Sequence, residues 1–431
     1  MITPVTKMQL SNGLTLHLKE IHTAPLISHW MWYRIGSRNE QPGSTGISHW
    51  VEHMQFKGTP NFPAGVLDKA ISRDGGVWNA FTYLDWTAYF ETMPADKIDL
   101  AIRLEADRML HSTFEPEEVE SERTVIISER QGNENEPLYR LDEAIQNTAF
   151  RQHPYRFEII GEMEDLHRIQ RDDLYRHYRR YYAPNNAVLA IAGDFDTAAM
   201  VARLEAAYGA IPPSDLDHEM VPEESPLDAE RRVEVRGPGE TTYLRVAYRA
   251  PAAADPDFFA FTVLDSLLSG PSGLNMFGGG GISNKTSRLY RALVERELAI
   301  NVNGGLQATI QPFLYSLTAH VHPNQTVERV LAALDEQVRR LQDEPVGEAE
   351  IARAVKQARA LFAYGSENIT NQAFWLGYAE MFAGYDWFLN YVAELGKVTP
   401  ADVRRIAQVY LCPERRVVGA YLPTGMDGEE S

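Results

Sequence analysis

The sequence predicts an α+β chain built as two similar α/β halves, each a mostly antiparallel sheet with helices packed on it. Three observations carry that prediction. Apolar spacing switches repeatedly between strand-like and helix-like periods, a segment rich in Pro, Asp, Glu and Ser interrupts the pattern near the middle, and the two halves end on similar words. With 431 residues the chain exceeds what one hydrophobic core usually holds, so more than one domain is expected. Hydrophobic residues at 44% and charged residues at 23% are ordinary globular values, which excludes a disordered or fibrous chain.

Taken in order, KMQLSNGLTLHLKE at 7–20 reads as a hairpin, because apolar and polar residues alternate on either side of Asn12-Gly13. A strand follows over 26–35, helices over 96–110 and 117–130, and a strand over 185–192. The segment 212–231 has little periodicity. It is read as a linker, set at 216–231, between an N-terminal domain 1–215 and a C-terminal domain 232–431. Beyond it, RRVEVRGPGETTYLRVAYRA gives two strands and 258–268 a helix. The repeated words are YYAPNNAVLAIAGDFD and VYLCPERRVVGAYLPTG, each a Tyr (Tyr182, Tyr410), then a Pro (Pro184, Pro413), then a valine-rich strand.

A net charge of −19 opposes a nucleic-acid surface, which needs clustered Lys and Arg to displace counterions from phosphates. Cys412 is the sole cysteine, so this chain can form no internal disulfide and no thiolate metal site; a transition metal would have to use His and carboxylate. The start MITPVTKMQLSNGL lacks the basic and apolar pattern of a secretory signal, and no run approaches the roughly 20 apolar residues of a membrane span. The expectation is a soluble, cytoplasmic protein with neither a nucleic-acid nor a membrane partner.

The chemistry concentrates in TGISHWVEHMQFKGT at 45–59. Ile47, Trp50, Val51 and Met54 form the buried stripe of a helix, and His49 and His53 stand at i and i+4 on one face, at the separation that two ligands of one zinc ion require. Glu52, beside them, can take the proton of a zinc-bound water. A solvated polar face is the alternative reading of such a helix. The run EEVESERTVIISERQGNENEP places Glu122 and Glu129 two helical turns apart on nearly the same face. One of these carboxylates could complete a three-ligand site, and the other could orient a ligand or the water.

HxxEH is the inverted form of a metalloprotease motif, and GSRNEQPGSTGISHWVEHMQFKGT resembles the signature block of the pitrilysin/insulinase family, to which mitochondrial processing peptidase belongs. The resemblance continues through GGVWNAFTYLDWTAYF, HPYRFEIIGEMEDL and YYAPNNAVLAIAGDFD, and spans nearly the whole chain. It implies that His49, His53 and Glu129, which lies 76 positions after His53, hold zinc. It also implies that Glu52 is the catalytic base, with Glu122 as an auxiliary catalytic carboxylate. Asn79 and Ala80 are then expected on an edge strand near the metal, where an extended peptide could bind.

One block departs from the family. In GGGGISNKTSRLYRALVERELAINV, the positions at which many members carry an Arg and a Tyr that grip the substrate are Val294 and Ile300, and neither can donate a hydrogen bond. The resemblance therefore implies a zinc-bearing subunit of a heterodimer, completed by a homologous partner that supplies Arg and Tyr and encloses a chamber for short or unfolded peptides. The rival is a chain active as a monomer or homodimer, with Arg288, Tyr290, Arg291 or Arg296 substituting. A non-catalytic scaffold or core subunit is the alternative to an enzyme. Gly278–Gly281 lacks the residues of a phosphate-binding loop, and His320 and His322 would share a strand face as a possible second metal pair without a visible third ligand.

Overall fold

The computed structural model describes residues 4–216, 220–271, 273 and 282–425. Positions 217–219 of the expected linker and the glycine run Gly278–Gly281 lie outside the described residues. The first half runs β1 (Thr6–Gln9), β2 (Thr15–Glu20), β3 (Leu26–Tyr33), α1 (Ile47–Met54), α2 (Leu67–Arg73), β4 (Val77–Thr82) and β5 (Thr87–Pro94). It continues through α3 (Ile98–His111), α4 (Pro116–Asn133), α5 (Pro137–Ala149), α6 (Met163–Arg168), α7 (Arg171–Tyr181), β6 (Ala187–Gly193) and α8 (Thr197–Tyr208). The second half runs β7 (Arg231–Gly237), β8 (Tyr243–Arg249), α9 (Asp257–Leu268), β9 (Ala299–Gly305), β10 (Leu314–Val321), α10 (Val327–Asp343) and α11 (Glu348–Tyr364). It closes with α12 (Ile369–Tyr378), α13 (Tyr385–Leu395), α14 (Pro400–Tyr410) and β11 (Arg416–Pro423).

Two sheets result, in the orders β1-β2-β6-β3-β5-β4 and β7-β11-β8-β10-β9. Their topologies correspond. The parallel pair β2/β6 has its counterpart in β7/β11, and every other pairing is antiparallel. The repeated sequence words sit at matching places: in each half a helix ends at or next to the Tyr, a short 3-10 turn begins at the Pro, and the following strand enters the middle of its sheet. β6, all Ala, Val, Leu, Ile and Gly, is buried along its whole length, as a strand covered on both faces must be.

Two compact units form. One comprises Met1–Arg130, Phe157–Val221 and Ser366–Tyr385, the other Gln131–Arg156, Pro222–Gly365 and Asp386–Ser431. All strands of the first sheet precede position 216 and all strands of the second follow 230, but each unit takes a helix from the other half of the sequence. In the second unit α5 packs on β11, β7 and β8; in the first, α12 packs on β3, β6 and β2. The α12 contact is close, since a Cβ on Gly377 would stand 2.1 Å from the indole nitrogen of the buried Trp32.

The first hairpin forms as expected, although its turn is longer than two residues. Leu10 and Leu14 close it, Gly13 takes φ 93°, and the buried Asn12 side chain donates to the carbonyls of Tyr208 and Ile211. The aromatic stretch 79–90 forms two strands, β4 and β5, joined by a turn at Tyr83–Trp86, with β4 on the edge of the sheet. Among the described residues, no helix is long and apolar enough to cross a membrane.

Candidate metal centre

α1 begins at Gly46, whose φ of 83° and approach to the Ile160 carbonyl leave no room for a side chain. No side chain at that position caps the helix. Glu40 does so from upstream, accepting from the backbone N–H groups of Gly46 at 2.7 Å and Ser48 at 2.8 Å. Trp50, Val51 and Met54 are buried, which turns His49, Glu52 and His53 together toward α4 and β4. Arg123 of α4 lies 4.7 Å over the Trp50 ring and donates to the Ile169 carbonyl, fixing α4 against α1.

Across that contact the side chains converge. The Nε2 atoms of His49 and His53 are 3.2 Å apart, and Glu129 Oε2 lies 3.7 Å from His53 Nε2 and 4.0 Å from His49 Nε2. Donors about 2.1 Å from a tetrahedral ion stand roughly 3.4 Å from one another, so two edges of this triangle are within about 0.3 Å of what a small dication needs and the third, His49 to Glu129, is longer by about 0.6 Å. It is the only such cluster of three among the described residues. His53 Nδ1 donates to Glu122 Oε1 at 2.8 Å, and Lys57 pairs with the other oxygen of Glu122. With its proton held at Nδ1, His53 presents the Nε2 lone pair toward the triangle.

Burial, with the neighbouring His53, pushes the pKa of His49 down to about 3, so its imidazole is neutral and free to act as a ligand. Burial also pulls the pKa of His53 down, but the Glu122 hydrogen bond and the surrounding carboxylates outweigh it and hold the group above the usual value. For Glu122, burial works upward and is overcome by the hydrogen bonds from His53 and Lys57, which keep its carboxyl below the ordinary range. Glu52 is 8% exposed, and burial pushes its pKa up to about 7, opposed by a 2.6 Å hydrogen bond from Thr82 Oγ1 to Oε2. A carboxylate of that affinity can both accept and release a proton near neutral pH.

His49, Glu52, His53, Glu122 and Glu129 are therefore gathered at one place. Asn79 and Ala80 lie on edge strand β4, which packs against α1. Asn79 is exposed and its Oδ1 accepts the Ala80 N–H at 2.9 Å. Thr82 and Lys57 also belong to the site, although their spacing in the sequence gives no sign of it; each matters only because β4 and α4 dock where they do.

Elsewhere, Val294 ends the helical turn Tyr290–Val294, and Ile300 on β9 is 57% exposed. Arg288, expected as a possible substitute donor, is held in two hydrogen bonds of 2.9 Å by Glu350. His320 packs edge-on against Tyr243, and His322 Nδ1 accepts from Asn324 N; they form no cluster with a third ligand among the described residues.

Two family models match the sequence. One, described as Insulinase (Peptidase family M16), covers residues 16–162; the other, described as Peptidase M16 inactive domain, covers 168–358. An uncharacterized zinc protease of Streptomyces coelicolor is 27% identical over 428 residues, which is 97% of this chain and 90% of that protein. The zinc protease PqqE of Helicobacter pylori is 32% identical over 242 residues, 55% of this chain and 54% of that protein. Among solved structures, a protease from Helicobacter pylori matches with a TM-score of 0.89 and 25% identity, over 98% of this chain and 100% of that one.

Proposed function

The chain belongs to the insulinase family, peptidase family M16, and on that premise we propose that it is a zinc-dependent endopeptidase that hydrolyses short or unfolded peptides. The observation that carries this reading is the convergence of His49, His53 and Glu129, whose donor atoms lie within 4.8 Å of one another, a nitrogen and carboxylate set suited to zinc. These three residues would hold the ion, which when bound supplies Lewis acidity toward a peptide carbonyl and a lowered pKa for water.

The chain's own residues supply the rest. Glu52 accepts a proton from the attacking water and returns it to the leaving amine, with Thr82 holding one carboxylate oxygen so that the other meets the water. Glu122 keeps the His53 proton on Nδ1 and the ring in place. β4, paired on one side only, offers free backbone groups to an extended peptide, and Asn79 and Ala80 lie along it.

Val294 and Ile300 support the proposal of a partner. Without the Arg and Tyr that many relatives carry there, the chain lacks groups that would stabilise charge developing on the carbonyl, a loss of roughly 100 to 1000-fold per donor. We propose that a homologous subunit supplies them, and the engagement of Arg288 with Glu350 speaks against local replacement by that residue. A second reading is favoured by the match of 168–358 to a model described as an inactive domain: a catalytically silent core subunit.

Metal analysis with a peptide-cleavage assay separates the two readings. About one tightly bound zinc per chain and cleavage that appears on adding the partner support the enzyme; absence of zinc supports the silent subunit. Glu52→Gln is expected to retain zinc and lose cleavage, because an amide cannot accept the proton. Near wild-type cleavage by that variant overturns the assignment of the base.

A further inference from the structure

The chain carries 60 acidic against 41 basic residues, yet one pocket of the second unit, of about 580 Å³, reverses the balance. Its lining includes Arg288, Arg291, Arg296, Arg340 and Arg353, with Glu350 as the single carboxylate. That carboxylate is already engaged. Arg288 grips it with two hydrogen bonds of 2.9 Å, and Arg353 stands 3.9 Å from it.

The remaining guanidinium groups have little to neutralise them. Among the described residues Arg340 pairs with Glu344 alone, which is outside the lining, and an ion pair so exposed is weak. Arg291 and Arg296 are exposed; Arg291 also acts on Glu350 through its charge, sharing that one carboxylate with Arg288 and Arg353, and neither forms an ion pair within 4 Å among the described residues. The first turn of α11 adds to the same sign. Gly347, Ala349 and Glu350 all line the pocket, Gly347 caps the helix without a side chain, and the first N–H groups of a helix have no partner within it.

We propose that this pocket binds a small oligophosphate anion. Guanidinium groups match phosphate oxygens in paired hydrogen bonds, a helix N-terminus favours the same charge, and the volume is that of a small-ligand site. The pocket lies wholly in the second unit, whereas the metal-capable cluster lies in the first, so this assignment does not rest on peptidase activity.

Isothermal titration of the full chain with inorganic tripolyphosphate tests it, with inorganic phosphate and hexaglutamate as parallel arms. Tripolyphosphate is expected to bind at one site per chain and more tightly than phosphate or hexaglutamate. The double variant Arg291→Gln/Arg296→Gln should weaken it about tenfold or more at unchanged melting temperature, and Arg291→Lys, which keeps charge but loses the fork, by less. The same titration on His49→Ala/His53→Ala keeps the signal apart from chelation of a metal and should give the wild-type affinity. Equal affinity in wild type and the double variant, or tighter binding of hexaglutamate than of tripolyphosphate, overturns the proposal.

Discussion

Thr82, at the end of edge strand β4, donates a 2.6 Å hydrogen bond to Oε2 of Glu52 on α1. The contact joins the strand proposed to hold a peptide to the residue proposed to move its proton. Thr82→Val keeps the shape and removes the donor. The expected result is a fall in kcat of about tenfold to a hundredfold with KM and zinc content little changed, since the loss falls on orientation of the base. Steady-state kinetics beside metal analysis checks it; an unchanged kcat would show that Glu52 needs no such support.

His53 is the ligand candidate with the most elaborate backing, a carboxylate at Nδ1 and a lysine behind that carboxylate. Glu122→Gln leaves the size and removes the charge that fixes the ring. Zinc affinity, measured by competition with a chromogenic chelator, is expected to weaken about 10 to 100-fold, and Lys57→Met to weaken it less. Glu129→Gln acts on a donor of the triangle itself and should weaken binding more than either. If Glu129→Gln binds zinc as tightly as wild type, the third corner has been misassigned.

Much of this site was legible before any coordinates. His49 and His53 share a helix face because i and i+4 always do, and Glu122 and Glu129 share one because seven residues make two turns. What brings those faces together is tertiary. Arg123 over Trp50 docks α4 on α1, and nothing in the spacing of either helix announces it. The same holds for Thr82, whose place beside Glu52 depends on the hairpin turn at Tyr83–Trp86, which a stretch as uniformly aromatic and β-branched as 79–90 conceals. The first hairpin followed from alternation, and β3 and β6 from short apolar runs, but the destinations of α5 and α12 did not: periodicity says which face of a helix is apolar, not which sheet receives it.

The seating of α12 on the first sheet can be tested at one atom. Trp32 is fully buried, stacked near Trp30 and met edge-on by Trp86 and Phe374, so it has no direction in which to move. Gly377→Ala puts a methyl group 2.1 Å from its indole nitrogen. Overpacking of this kind costs typically 1–3 kcal/mol, and a loss of about 2 kcal/mol is expected in urea unfolding. A variant as stable as wild type would mean that the helix sits farther from the sheet.

His177 of α7 offers a test of acid stability away from the metal ligands. It is 8% exposed, its Nε2 lies 3.2 Å from Ser48 Oγ, and burial, aided by the charge of Arg180, pushes its pKa from the ordinary 6.5 of a free imidazole down to about 3. Between those two values the unfolded chain binds a proton that the folded chain refuses, so stability rises with pH across the window. The contribution is complete above about pH 6.5 and is lost as the pH falls toward 3, at up to about 1.4 kcal/mol per unit for one group. His29, fully buried and held to about 4 by burial, adds a slope of the same sign and will persist in any His177 variant. Urea unfolding at pH 6.5 and 5 is therefore expected to show His177→Gln losing about 1.6 kcal/mol less than wild type over that interval, because the unfolded imidazole is already half-protonated at pH 6.5 and an amide preserves a polar neighbour for Ser48 without titrating. Parallel losses in the two proteins would place the proton uptake at another group.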